Sequence, residues 1–373
     1  LAEKKGEALA WVEKAMNEVK ISSLQMAQLK VIRFLAELDP SHFNENAQQD
    51  FESTLRWLDV HRSDFIDYDT FTSQFMLYVS GEFLRAGDAA TAALLLSKNK
   101  RDMGMDRVSG LAHGAVDLLV MKGQTRDIER IIRLLKTGKS SGWEKFLLKG
   151  CSFSIDGLYD LEGTWFIHHD QLDSAYSCFS KVDEKYWENE ANRSRLNMDP
   201  FYVDNVENHY NKGFDTVDYH NKAKYVKRML ELKHNVAMKK NTAQSCYLLG
   251  NAYYNMTWFG NSWAMMKFSW HVYGAYNAEK NSLNDVYCGC RRAEDYYLTG
   301  LKSARDDSTA AICALMAGIC ERNRKVYRTG STGKVDFLRN KYRDVVLQRF
   351  GSADVFDSFR ECSFLEEYQE RLR

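Results

Sequence analysis

The stretch GTWFIHHDQLDSAYSCF, residues 163–179, predicts two helices that meet at a small residue. Gly163 is followed three residues later by Phe166 and, after a polar turn, by Ala175 and Phe179. A small side chain on each helix allows the two backbones to approach closely, and large side chains fill the groove beside that contact. The stretch therefore indicates a helical hairpin.

A second stretch has the same pattern. VSGEFLRAGDAATAALLL, residues 79–96, places Ser80, Phe83, Ala92 and Leu96 at the same spacings of 3, 12 and 4 residues. These are the spacings of tetratricopeptide repeats, in which helical hairpins stack side by side. Two separate matches predict a repeat array.

A third match is interrupted. LGNAYYNMTWFGNSW, residues 249–263, begins a first helix at Gly250, but the expected small and large partners come only at Ala293 and Tyr297. Gly250 and Ala293 are 43 residues apart instead of 12, which predicts an insertion of 31 residues. We expect this insertion at about residues 255–290.

The rest of the chain also favours helix. Hydrophobic residues recur with a helical period, and only two prolines occur in 373 residues. Helices are predicted over residues 2–19 and 22–38, the second capped by Ser22 or Ser23.

The predicted fold is an all-α, tetratricopeptide-like solenoid of stacked helical hairpins. Residues 1–150 form N-terminal hairpins, one of them near 108–137, and residues 151–373 hold the clearer repeats. An Asn- and Asp-rich segment, about 192–215, is predicted as a long loop, and polar-faced helices cap the C-terminus.

Composition limits the classes of partner. Fifty-one basic and fifty-one acidic residues cancel, so no global charge favours nucleic acid. No apolar run reaches the ~18 residues of a membrane span. The first residues do not resemble a signal peptide, so we expect the chain to begin within a domain or after processing. The eight cysteines show no C-x-x-C pair and are predicted to be buried free thiols.

Motifs of catalysis and cofactor binding are absent from the sequence, so we predict no cofactor, no metal and no enzymatic activity. GSTGK, residues 330–334, lacks the first glycine of a phosphate loop and is predicted as a turn. His168, His169 and Asp170 lie at the predicted turn of a hairpin, where polar residues are expected. A metal or acid–base role for them is the weaker interpretation.

The aromatic residues of the insertion leave three interpretations open. They pack an extra hairpin onto the array, they form a groove for a partner, or they stack on a sugar or small ligand. Gly260, Asn261 and Ser262 predict a turn after which Trp263 begins a new helix. The residues concerned are Tyr253, Tyr254, Trp258, Phe259, Trp263, Phe268, Trp270, Tyr273 and Tyr276.

From about residue 155 onward, the chain resembles tetratricopeptide-repeat proteins of Bacteroidetes-type bacteria that have no assigned activity. The resemblance rests on LLGNAYYNMTWFGNSW, KYVKRMLELKHNVA, RRAEDYYLTGLKSARDDSTAAICALMAGICERN and the tail YRDVVLQRFGSADVFDSFRECSFLEEY. It implies a helical-repeat fold and a location in the cell envelope, in the periplasm or on a lipid anchor upstream of this chain.

The expected function is non-enzymatic binding of a protein or peptide on the concave face of the array. One alternative is a carbohydrate- or peptidoglycan-binding protein that uses exposed aromatics of the insertion. Another is an enzyme whose site is assembled from distant repeats. The residues predicted to contact a partner are Tyr254, Trp258, Asn261, Trp263, Trp165 and His169.

Overall fold

The computed structural model describes residues 4–18, 21–98, 113–138, 141–196, 198–203, 221–268, 274–330, 340–342 and 345–350. Within these ranges the chain is all helices, turns and loops, with no strand, as predicted. It divides into two compact units, Leu1–Leu158 and Tyr159–Arg373, and the division falls inside one helix.

The first unit is built from α-helices, several of which pack on the helix that follows them in the chain. Two single-turn 3₁₀ helices, Pro40–His42 and Arg62–Asp64, occupy its loops. Its α-helices are α1 (Lys5–Glu18), α2 (Ser23–Glu37), α3 (Glu45–Val60), α4 (Tyr68–Arg85), α5 (Ala89–Leu96), α6 (His113–Lys122), α7 (Thr125–Thr137), α8 (Gly142–Leu148) and the start of α9 (Ile155–His168).

Side-chain caps fix where these helices begin. The Ser22 hydroxyl accepts a hydrogen bond from the backbone N–H of Gln25, and the backbone N–H of Ser22 donates to Oε1 of the Gln25 side chain, which forms a capping box. Asp88 caps α5 in the same manner through the N–H of Thr91. The two helices predicted over 2–19 and 22–38 are confirmed, with Ser22 as the cap.

The hairpin of α4 and α5 has the close contact that residues 79–96 predict. The Ser80 hydroxyl donates a hydrogen bond to the Ala92 carbonyl at 2.9 Å. Gly87 takes a left-handed conformation, with φ of 84°, in the turn between the two helices. Every residue of α5 is buried, so this apolar helix lies inside the unit.

The described part of the second unit contains four longer helices and several short ones. It also contains a 3₁₀ helix, Trp263–Met265, and a π-helix, Val345–Arg349, which comes last in the chain order. Its α-helices are the remainder of α9, then α10 (Leu172–Phe179), α11 (Glu184–Glu188), α12 (Glu190–Arg193), α13 (Lys222–Ala237), α14 (Thr242–Asn255), α15 (Gly274–Asn277), α16 (Ser282–Gly289), α17 (Arg291–Ser303) and α18 (Asp307–Thr329).

Two glycines of this unit lie against aromatic rings at the predicted positions. A Cβ on Gly163 of α9 would lie 2.3 Å from Cε1 of Phe179 on α10. A Cβ on Gly250 of α14 would lie 2.5 Å from Cε1 of Tyr297 on α17. A methyl group at either position would overlap the facing ring, so the close approach of the helices explains why both residues are glycine.

The packing of α14 on α17 shows that the insertion separates two helices of one pair. The inserted segment itself differs from the prediction. Trp263 begins only the three-residue 3₁₀ helix, and the Ser262 side chain makes no capping bond. The later helices α15 and α16 are short, so the residues of the insertion that are described form no long helix after Trp263. Trp270 and Tyr273 lie outside the described residues.

Several other predictions are tested only in part. The predicted loop over 192–215 begins with the end of α12, and residues 197 and 204–215 lie outside the described part, as does the predicted terminal helix FRECSFLEEYQERL. Of the other predicted terminal helix, VDFLRNKYRDVVLQRF, residues 340–342 form no helix and Val345–Arg349 form the π-helix. Of GSTGK, only Gly330 is described; it ends α18 with a φ of 65°. Cys362 is also outside, and the other seven cysteines are free, six of them buried. No described helix is long and apolar enough to cross a membrane.

Candidate interaction surface

Asparagines at the end of α14 hold a neighbouring segment by its backbone. Asn255 is buried, and its Nδ2 donates hydrogen bonds to the carbonyl oxygens of Pro200 and Tyr202, at 2.9 and 2.8 Å. Asn251, one helical turn earlier, donates from Nδ2 to the Phe201 carbonyl at 2.7 Å. Three successive carbonyl groups are thereby fixed without regard to their side chains.

Asn261 extends this arrangement beyond the helix. Its Nδ2 donates to the Asp199 carbonyl at 3.2 Å, and its backbone N–H donates to Oδ1 of Asn255 at 3.4 Å. We call Asn251, Asn255 and Asn261 the asparagine cluster. It fixes the segment 198–203 against the start of the insertion.

The asparagine cluster is itself anchored in the core. The Tyr297 hydroxyl on α17 donates to Oδ1 of Asn251 at 2.7 Å, so both ends of that amide are paired. The Tyr225 hydroxyl on α13 donates to the Ala252 carbonyl at 2.8 Å. Because all these groups are buried, each bond also removes the cost of an unsatisfied polar atom.

The turn after α14 has room only for glycine at position 260. A Cβ on Gly260 would lie 2.2 Å from Cα of Asn255, so no larger residue fits. The Ser262 N–H donates to the Asn255 carbonyl at 2.8 Å, which closes the turn. The Trp258 N–H donates to the Tyr287 carbonyl at 3.1 Å, which joins the turn to α16.

Trp258 and Trp263 are both partly buried and keep part of their rings at the surface. Trp258 packs edge-on against Phe259 and Tyr276, with ring centroids 4.9 and 5.5 Å apart. The guanidinium carbon of Arg195 lies 5.9 Å from the centroid of the Trp263 ring. Each tryptophan therefore packs within its surroundings and keeps part of its surface accessible.

Tyr254, the third aromatic residue predicted to contact a partner, is 8% exposed. Nδ2 of Asn323 on α18 donates to its hydroxyl at 3.2 Å. Burial raises the pKa of this phenol well above its ordinary value. In this conformation Tyr254 packs α14 against α18.

Trp165 and His169 form a pair of their own at the end of α9. Their rings stack with centroids 3.7 Å apart, and Nδ1 of the exposed His169 donates to the Trp165 carbonyl at 2.8 Å. Trp57 and His61 repeat this geometry at the end of α3, at 3.9 and 2.9 Å. The same four-residue spacing at the ends of two helices indicates that each Trp–His pair stabilises the C-terminus of its own helix.

His168 joins the end of α9 to the insertion. Its Nε2 donates to the Met266 carbonyl at 2.8 Å, while its buried Nδ1 has no hydrogen-bond partner among the described residues. Burial lowers the pKa of this imidazole to about 3, so the ring is neutral near pH 7. Arg292 of α17 donates to the His168 carbonyl at 3.0 Å. His168 therefore acts as a structural donor.

A buried ion pair lies beneath the same region. Nζ of Lys222 lies 2.6 Å from Oδ1 of Asp160, and both side chains are 4% exposed. Lys222 also donates to the Thr164 hydroxyl at 3.1 Å, and the Tyr186 hydroxyl donates to Oδ2 of Asp160 at 3.0 Å. Nothing in the sequence pattern distinguishes this lysine from the surface lysines of α13.

Four of the six residues predicted to contact a partner thus come from one end of α14 and its turn. No ring contact among the described residues joins the Trp165 and His169 pair to Trp258 or Trp263. Of the asparagine cluster only Asn261 was predicted as a site residue, although the repeated asparagines in NAYYN and FGNSW are a visible signal.

No group of three or more His, Cys, Asp or Glu residues in the described part of the chain is placed to hold a metal ion. Comparisons of the chain with protein-family models, with curated proteins and with solved structures found no match.

Proposed function

We propose that this chain is a non-enzymatic interaction module that binds a partner protein or peptide through its second unit. The observation that carries the proposal is a fixed aromatic surface. Trp263 keeps part of its ring exposed beneath Arg195, and Tyr202, on the segment that the asparagine cluster holds, is 53% exposed. Tryptophan, tyrosine and arginine are the residues that dominate binding hot spots.

The support beneath these side chains favours binding. The carbonyl of Tyr202 is bonded to Asn255, and Asn261, two residues before Trp263, is bonded to Asp199. The backbones that carry the two aromatic residues are therefore ordered before any partner arrives. A surface that is already ordered loses less conformational entropy when it binds.

We also propose that the helices form a tetratricopeptide-like array. The contacts of Ser80 with Ala92, of Gly163 with Phe179 and of Gly250 with Tyr297 support this finer fold, since each follows the repeat spacing. Such arrays bind partners without covalent chemistry. The location in a bacterial envelope rests on the family resemblance alone and is part of the same proposal.

Capture of partners by variant chains tests the function. Immobilised wild type is compared with Trp263→Ala, Tyr202→Ala and Met238→Ala, using extract from the source cells. Met238 is the matched control because it is 66% exposed and lies in the same unit, away from the asparagine cluster. Circular dichroism at rising temperature checks that every variant is folded.

We expect one or more proteins to bind wild type and Met238→Ala, and to be lost from Trp263→Ala and Tyr202→Ala. Loss of a hot-spot aromatic residue costs about 2 kcal/mol or more, which is about thirtyfold in affinity. Equal capture by all four folded chains would contradict the proposal.

Glycan binding has less support in the same geometry. A sugar-binding tryptophan needs polar neighbours that are available to hydroxyl groups. The amide of Asn261 already donates to Asp199 and accepts from the Ser262 hydroxyl at 2.7 Å.

A further inference from the structure

A cavity of about 560 Å³ lies in the first unit, between α3, α4 and the end of α8. One face of α3 contributes Glu52, Arg56 and Asp59, which are spaced one helical turn apart. The volume is within the range of about 300–1,000 Å³ that is typical of sites for small molecules. The charges around it decide what kind of molecule fits.

Two of the three carboxylates that line the cavity are occupied by neighbours. The Tyr68 hydroxyl donates to Oδ1 of Asp59 at 3.0 Å. Arg62 forms an ion pair with Asp69 at 3.1 Å. Asp69 is therefore paired with a cation, whereas Asp59 keeps its negative charge, because a neutral phenol does not cancel it.

Three cations line the same cavity without a carboxylate partner among the described residues: Arg56, Lys98 and Lys149. Nζ of Lys98 donates only to backbone carbonyls, to that of Phe146 at 2.6 Å and to that of Lys149. Among the described residues, Glu52 is the one carboxylate of the cavity lining that has no hydrogen-bond or ion-pair partner. With Arg62, four cations and three carboxylates line the cavity, which leaves a formal excess of one positive charge.

Of these three cations, Lys98 has the environment least favourable to its charged form. Burial, together with the smaller effect of the nearby Lys149 charge, lowers the pKa of its amine to about 8. An anion placed beside Lys98 would offset both effects.

The cavity also has an apolar wall. Nζ of Lys98 lies 4.8 Å from the centroid of the Phe146 ring, and Leu55 and Met76 line the same space. An organic ligand therefore finds a cationic part and an apolar part in one cavity.

We propose that this cavity binds a small organic anion. A carboxylate or phosphate group of the ligand is held by Arg56, Lys98 and Lys149, and an apolar body packs on Phe146 and Met76. The site belongs to the first unit and is independent of the interaction surface in the second.

Titration calorimetry on the full chain, with three aromatic probes of similar size, tests the site. The probes are 4-phenylbutyrate, phenyl phosphate and the neutral 4-phenylbutyramide. We expect one or both anions to bind and the amide not to bind, and the stronger anion identifies the acidic group. Equal binding of the amide, or no binding of either anion, overturns the proposal.

Charge variants test the named residues. Arg56→Gln and Lys149→Gln remove exposed charges, and each is expected to weaken the anion by about two- to fivefold. Glu52→Gln removes the opposing carboxylate and is expected to strengthen binding, an effect that misfolding does not produce. Lys122→Gln, an exposed charge of the same unit outside the cavity, is the control.

Lysine acetylation followed by mass spectrometry gives a second readout on the wild-type chain. At pH 8 the bound anion is expected to slow acetylation of Lys98 and to leave that of Lys122 unchanged. No protection of Lys98 at saturating anion, or unaltered affinity in both Arg56→Gln and Lys149→Gln, contradicts the site.

Discussion

Gly250 of α14 lies so close to the ring of Tyr297 on α17 that a Cβ would be 2.5 Å from Cε1 and 2.6 Å from Cδ1. The ring has little freedom to move away, because its hydroxyl donates to Asn251 on the same helix as Gly250. The absence of a side chain at Gly250 therefore allows close contact between two helices that an insertion separates in the sequence.

Gly250→Ala is expected to destabilise the fold. The added methyl group must push α17 away or break the bond between Tyr297 and Asn251, and overpacking of this kind costs about 1–3 kcal/mol. Urea unfolding followed by circular dichroism measures the loss. Gly289→Ala is the control, since a Cβ on that helical glycine meets nothing within 4 Å. A free energy of unfolding for Gly250→Ala equal to that of Gly289→Ala would contradict the packing.

The helical pairs were predictable from the sequence because their contacts depend on residue size at fixed spacing. Ser80 and Ala92, and Gly163 and Phe179, stand at the positions where helices must approach closely. The pair of α14 and α17 has the same kind of contact at Gly250, since an insertion between two helices leaves the contact of the helices themselves unchanged.

The asparagine cluster and the pair of Lys222 with Asp160 were not predictable in the same way. Asn255 binds carbonyl oxygens, which every residue of the chain possesses, so its partners leave no mark in the sequence. Lys222 and Asp160 are buried by segments far apart in the chain, and a helical period alone does not distinguish a buried lysine from an exposed one.

Asn255→Ala is expected to release the segment 198–203. It removes both hydrogen bonds to Pro200 and Tyr202, and a buried carbonyl left unsatisfied costs about 1–3 kcal/mol. Because the loss is local, cleavage by chymotrypsin after Tyr202 should accelerate more than the global unfolding rate does. Mass spectrometry of the fragments identifies the cleaved bond.

Asn284→Ala is the matched control for this experiment. Its Nδ2 donates to the Glu279 carbonyl at 3.0 Å in an exposed position, where water replaces the lost bond. Cleavage after Tyr202 at the wild-type rate is expected. Equal rates in Asn255→Ala and Asn284→Ala would refute the role of the asparagine cluster.

His168 is expected to make the fold less stable as the pH falls. Its folded pKa of about 3 is below the ordinary value of 6.5, so below pH ~6.5 the unfolded chain takes up a proton that the folded chain does not. Stability from this residue is full above pH ~6.5 and falls by about 1.4 kcal/mol per pH unit at lower pH, down to about pH 3. Urea unfolding at pH 7.5, 6.0 and 5.0 measures the slope.

His168→Gln is expected to reduce that slope, because the amide does not titrate and still offers a donor to Met266. His169→Gln removes an exposed neighbouring imidazole and is the comparison for a general effect of losing histidine. A slope in His168→Gln as steep as in the wild type and in His169→Gln would show that the protonation lies elsewhere.

Lys222→Met is expected to be among the most damaging single substitutions in the second unit. The carboxylate of Asp160 stays buried and loses the ammonium 2.6 Å away, and breaking one side of a buried pair costs about 3–5 kcal/mol. Asp160→Asn in the same chain removes the unpaired charge and keeps an oxygen that accepts from the Tyr186 hydroxyl. The double variant should therefore recover much of the free energy of unfolding that Lys222→Met loses, as urea unfolding of the four chains of the cycle would measure. If the double variant were no more stable than Lys222→Met, the lost packing of the lysine stem, and not the orphaned carboxylate, would account for the damage.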